Sequence, residues 1–167
     1  MVKFRPIAYG ENDLRAFRYM DSADTNEGVF AYVAGASMNM INVRLAAVGP
    51  QSDWVDATMN KLGLVATVMK QALLTGKYFP IYREDPDIEN TGPTISRSDM
   101  VIGFFGKECE VYYSALEPKT AASWSAGDYV VLASSGKMTY PGGQYDTPYI
   151  WGMCLGTQNG WVRMQVL

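Results

Sequence analysis

The run Tyr149-Ile150-Trp151-Gly152-Met153-Cys154-Leu155-Gly156-Thr157-Gln158-Asn159-Gly160-Trp161-Val162-Arg163-Met164-Gln165-Val166-Leu167 decides how this chain folds. Asn-Gly accepts positive φ at both residues with little strain, which is what a tight hairpin turn requires. Beyond it, Val162, Met164 and Val166 alternate with Trp161, Arg163, Gln165 and Leu167. A period of two gives a strand one apolar and one mixed face. Before it, Tyr149 to Leu155 reads as the partner strand and 156–160 as the connection.

The same signal recurs upstream. Asp128 to Ala133 reads as a strand that turns at Ser134-Ser135-Gly136-Lys137, and Pro141-Gly142-Gly143 forms another loop. Glu108, Glu110 and Tyr112 alternate with Cys109, Val111 and Tyr113. Met100 to Phe105 is a further strand, closed by Gly106-Lys107. Val29 to Val33 and Met38 to Val48 read as strands, the second closed by Gly49-Pro50. Lys77 to Tyr82 is extended, and Pro80 assigns it to a sheet edge. Short strands separated by turns predict a mainly β chain, a small β-barrel or sandwich.

One helix is a candidate, at about 53–75. Val55, Met59, Leu62, Ala66, Met69 and Leu73 fall on one helical face, Asp53 can cap the start and Gly76 can end it. Gly63 opposes it at about 1 kcal/mol, and Leu64 to Val68 reads equally well as a strand. Residues 1–25 read as an extended N-terminal arm or, equally well, as an edge strand followed by an ordinary loop. Lys3-Phe4-Arg5-Pro6 leads into the polar runs Gly10 to Asp13 and Asp21 to Asn26, with Leu14, Phe17 and Tyr19 as anchors. Residues 26–167 then form the β-rich domain, with a C-terminal barrel core at about 96–167. On the arm reading residues 1–10 are dispensable for folding.

Composition narrows the function. Of 167 residues, 48% are hydrophobic and 19% charged, enough to bury a core without disulfides or metals. The net charge is −3 with no basic run, so no nucleic-acid partner is expected. The N-terminus has no apolar signal-peptide core, and no apolar stretch nears the ~20 residues that span a bilayer, so no membrane association is expected. There is no histidine. Nucleophilic catalysis by Ser or Cys lacks its usual base, and Cys109 and Cys154 form no CxxC pair for zinc. They are expected as reduced core thiols, pairing only if the fold brings them together. Asp85, Asp87 and Glu89 lack the spacing of a calcium loop. No metal and no cofactor is expected.

Catalytic constellations are weak. Ser134, Ser135 and Lys137 could form a Ser–Lys dyad but sit in a turn, where such residues are common. Glu108 and Glu110 share a strand face, the ordinary place for solvated carboxylates. Gly103-Phe104-Phe105-Gly106 is an apolar strand end rather than a phosphate cradle. The chain is not expected to be an enzyme. Its 11 Tyr, 4 Trp and 10 Met suit protein interfaces. A rival use is a stacking platform for glycans built from Trp124, Tyr129, Tyr140, Tyr145, Tyr149, Trp151 and Trp161.

Four runs carry a resemblance: Ala126-Gly127-Asp128-Tyr129-Val130-Val131-Leu132, Gly136-Lys137, Ile150 to Leu155, and Gly160 to Leu167. Together they resemble the closing strands of tailed-phage capsid decoration, or cement, proteins. Asp99-Met100-Val101-Ile102-Gly103 looks like a weaker copy of the strand start at Asp128. Trp151 and Trp161 stand where that pattern has smaller residues. The resemblance covers about residues 96–167. It implies a β-barrel on the outside of an icosahedral head, made in the host cytoplasm, often trimeric, bridging neighbouring capsomers and stabilising the shell. Its partners would be the major capsid protein and other copies of itself. Contacts would come from Lys3, Phe4, Arg5 and Tyr9 in the arm and from Trp124, Trp151 and Trp161 in the barrel. The alternatives are a non-catalytic ligand- or glycan-binding β module, or another virion component such as a tail or head-fibre protein.

Overall fold

The structure, a computed structural model, describes residues 2–37, 40–46, 79–83, 94–133, 135–140 and 150–167. In chain order the strands are β1 (Phe4–Ala8), β2 (Leu14–Tyr19), β3 (Thr25–Asn26), β4 (Phe30–Ser37), β5 (Met40–Leu45), β6 (Phe79–Tyr82), β7 (Thr94–Ile95), β8 (Met100–Phe104), β9 (Glu108–Tyr112), β10 (Leu116–Glu117), β11 (Tyr129–Leu132), β12 (Met138–Thr139), β13 (Gly152–Gln158) and β14 (Trp161–Val166). The candidate helix at 53–75 and the acidic run Asp85 to Glu89 lie outside the described residues.

The hairpin forms on Asn159-Gly160. Gln158 pairs with Trp161, and Asn159 and Gly160 have φ of 54° and 84°. The partner strand runs further than its pattern indicated, through Gln158, because a bulge between Cys154 and Gly156 lets pairing resume. A Cβ on Gly160 would sit 2.7 Å from the Tyr112 ring. Gly160→Val therefore combines positive-φ strain with overpacking, and should cost about 2–4 kcal/mol in urea unfolding. A variant that melts within about a degree of wild type would show the turn tolerates a side chain, against that steric expectation.

One local device starts three strands. The Ser125 amide donates to Asp128 Oδ2 at 2.8 Å, and the Asp128 amide to the Ser125 carbonyl at 3.0 Å. Ser96 and Asp99 make the same two bonds at 2.8 and 3.0 Å, and Gly10 and Asp13 make them at 2.7 and 3.1 Å. β11, β8 and β2 begin at the next residue in each case. An aspartate that closes its own turn satisfies amides that would otherwise be unpaired where a strand begins. Positive φ precedes the aspartate at Gly127 (96°) and Ser98 (77°). The likeness of the Asp99 and Asp128 segments thus has a geometric basis.

Five strands close a barrel in the order β2-β5-β4-β6-β8 and back to β2, with β2 and β5 parallel. Phe17, Tyr19, Ala31, Val43, Phe79, Ile81 and Val101 from its strands fill it, with Val29 just before β4 and Ile95 from β7 packed against them. Phe17 stacks on Phe79 at 5.1 Å, and a Cβ at Gly103 would lie within 2.8 Å of both rings. Pro80 is not on an edge, because β6 pairs with both β4 and β8. The β8 register starts at Ile81, so no ladder bond needs the amide that Pro80 lacks.

Seven strands form the second sheet, in the order β1-β9-β14-β13-β11-β12-β10. Its inner face carries Phe4, Cys109, Val111, Val130, Leu132, Met138, Trp151, Cys154, Val162 and Met164 and packs against Phe30 and Phe104 from the barrel. The expected N-terminal arm is corrected here. β1 pairs with β9, β2 is a barrel stave, and Phe4 is 2% exposed between Tyr82 and Phe104. Phe4 binds this chain's own core. β1 lies at the sheet edge, and because the Lys3 carbonyl faces β9, alternation turns the missing amide of Pro6 to the open side.

Candidate interaction surface

The alternation that buries Cys109, Val111, Val162 and Met164 sends their neighbours to the opposite face of the seven-stranded sheet. Register then lines them up across three strands. Arg5 lies opposite Glu110, and Glu110 opposite Arg163. One row along, Tyr112 lies opposite Trp161, and in the other direction Glu108 lies opposite Gln165. Ile7 and Leu155 are both 40% exposed.

The central row alternates cation, anion, cation. Arg163 donates from Nε and Nη2 to Glu110 Oε1 at 3.2 and 2.6 Å, while Arg5 Nη1 lies 3.6 Å from Oε2. The hydrogen bonds to Glu110 hold the Arg163 guanidinium above its ordinary pKa. Arg5 also lies over the Trp161 ring, its Cζ 3.7 Å from the centroid. The Trp161 ring meets Tyr112 edge-on at 5.3 Å, and Tyr112 meets Tyr113 at 4.7 Å. The result is a patch of two exposed arginines over half-buried Tyr and Trp rings, the residue types that dominate binding energy at protein interfaces.

Of the expected contact residues, Arg5 and Trp161 meet on this patch. Lys3 lies just before β1, its carbonyl bonded to the Tyr112 amide, and Tyr9 is 51% exposed just beyond β1. Phe4, Trp124 and Trp151 are corrected: all three are buried. Trp124 packs edge-on against Tyr140, its indole N–H donating to the Pro118 carbonyl at 3.4 Å, and Trp151 meets Phe30 at 5.3 Å. The glycan platform therefore does not assemble from its described tryptophans. Two are core, and Arg5 covers the third. Tyr145 and Tyr149 lie outside the described residues.

Other chemistry-bearing residues are engaged elsewhere. Cys109 and Cys154 both flank Met164, on β9 and β13, two strand spacings apart. That is roughly 10 Å between Cα atoms, beyond disulfide reach. Burial raises the pKa of both thiols. Ser135 donates to Glu117 at 3.0 Å, and Ser134 is outside the described residues. Glu110 is held by two arginines rather than paired with Glu108. Among the described residues no group of three or more metal-ligating side chains gathers. Sequence reasoning missed Glu110 and Tyr112 as members of the patch. Their shared strand face was readable, but the register that brings Arg5 and Trp161 beside them was not.

No family model matches this chain, and no curated protein matches it. Among solved structures it is similar to the head fiber gp8.5 N base of bacteriophage phi29. The two share 9% identity at a TM-score of 0.46, over 92% of this chain and 94% of that one.

Proposed function

We propose that this protein is a structural component of a phage particle, seated on the outside of the head, where it binds the major capsid protein and stabilises the shell. The run from Ala126 to Leu167 carries this reading, through its resemblance to the closing strands of capsid decoration proteins. The partly exposed Arg5–Trp161–Tyr112 patch is a surface suited to such a partner. Many copies, as trimers or otherwise, would turn a modest contact into high avidity on a symmetric shell. A ligand that binds only the assembled shell stabilises it by about 2.7 kcal/mol per site at 100 times its Kd.

The test is co-sedimentation of purified protein with heads that lack it, followed by thermal disruption of the loaded heads. Saturable binding with a raised disruption temperature is the expected result. Binding with an unchanged disruption temperature would replace stabilisation with an appendage role such as a head fibre. Absence of binding, together with absence of the protein from purified particles, would overturn the virion assignment.

A further inference from the structure

Arg5 is the under-paired member of the central row. Arg163 takes Glu110 with two hydrogen bonds on one oxygen, whereas the Arg5 contact to the other oxygen, at 3.6 Å, is too long to be one. Two guanidinium groups thus share one carboxylate. The remaining N–H groups of Arg5 meet no acceptor among the described residues, and its side chain is 51% exposed. The group is nevertheless held in place, because its carbon lies 3.7 Å over the Trp161 ring and its backbone is fixed by pairing with β9. A guanidinium stacked by its face keeps its N–H edge free, and that edge matches two carboxylate oxygens.

We propose that Arg5, braced by Trp161, is a receptor for a carboxylate on an extended segment of a partner protein, with an apolar residue two positions from the acid. The carboxylate would pair with the free edge of Arg5 and complete the alternation of charge across the sheet. The apolar residue, on the same side of the extended segment as the acid, would rest on Ile7, two residues along β1 from Arg5 and 40% exposed. The face does not suit a nucleic-acid backbone. Phosphates need a continuous run of cations, and here Glu110 separates the two arginines while Glu108 faces out one row along. A lone carboxylate avoids both acids. The site needs no capsid protein to be real, so it stands or falls separately from the virion assignment.

The test uses the intact protein, isotope-labelled, with the side-chain N–H signals of Arg5 and Trp161 followed by NMR. Two probes are titrated: the peptide acetyl-Leu-Ser-Glu-Ser-amide, which places one acid and one apolar side chain on the same side when extended, and the same peptide with glutamine in place of glutamate. The expected result is that the acidic peptide moves both signals, and that the glutamine peptide binds at least about tenfold more weakly. Arg5→Lys keeps the charge but loses the planar edge, and should weaken the acidic peptide by a similar factor while the fold, read from backbone amides, is unchanged. Equal binding of both peptides, no shift at millimolar acidic peptide, or full retention of binding by Arg5→Lys would each overturn the proposal. So would a single-stranded oligonucleotide that moves the same signals at lower concentration than the acidic peptide.

Discussion

Deleting residues 1 to 10 should unfold the protein, or leave it a partly folded state that melts far below the full chain. Phe4 is 2% exposed and packs between Tyr82 at 5.1 Å and Phe104 at 5.5 Å, so it joins the seven-stranded sheet to the barrel. Truncating a buried Phe to Ala costs about 3–5 kcal/mol. A domain of ordinary stability has only about 5–15 kcal/mol to lose. The deletion removes more than the ring. The Tyr112 and Lys107 amides lose their acceptors at the Lys3 and Ala8 carbonyls, and β9 becomes an open edge. Phe4→Ala isolates the packing contribution. It should fold, with its urea midpoint lowered by the equivalent of about 3 kcal/mol or more and its m-value unchanged. If the truncated protein gave the circular dichroism and melting temperature of the full chain, β1 would be a dispensable arm after all.

What the sequence disclosed and what it hid follow from the range of the contacts. The β14 alternation and the Asn159-Gly160 turn are local, so the hairpin was legible, as were the strands at Met100, Glu108 and Tyr129. The partners of Phe4 lie some eighty to a hundred residues away, and a lone Phe between Lys3 and Arg5 carries no mark that it is buried. Polar runs on either side of β2 suggested an arm, yet the run Gly10 to Asp13 is the turn that lets β1 serve one sheet and β2 the other, and the run Asp21 to Asn26 leads from β2 into β3. Pro80 misled for a related reason. Its missing amide excludes a ladder bond only on one side, and the pairing register, set by the whole barrel, places no bond there. For the surface patch, residue types pointed to Arg5 and Trp161 but also to Trp124 and Trp151. Tertiary packing separates them: Trp124 and Trp151 lie outside the strands and are buried, while register brings Arg5 over Trp161.

Glu27 left no signal in the sequence, and its substitution carries the second large expected effect. It is fully buried, the one charged side chain so placed among the described residues. One carboxylate oxygen accepts the Lys3 amide at 3.0 Å and the other the Arg83 amide at 3.1 Å, tying the start of β1 to the end of β6. Glu27→Ala leaves two amides without acceptors and opens a cavity. An unsatisfied buried donor costs about 1–3 kcal/mol, so the variant should lose about 2–5 kcal/mol. The pH dependence is specific. Burial raises the Glu27 pKa above its ordinary 4.5, outweighing the two amide hydrogen bonds that lower it. The folded state therefore holds this proton more tightly than the unfolded chain does. The stabilisation it brings is complete below pH 4.5 and is lost as pH rises through the folded-state value. Glu27→Gln keeps the size and does not titrate. Its stability deficit against wild type should be largest at about pH 4 and shrink as pH rises toward neutrality. A deficit that stays constant across that range, or widens with pH, would mean that the two amides, rather than desolvation, decide the charge of Glu27.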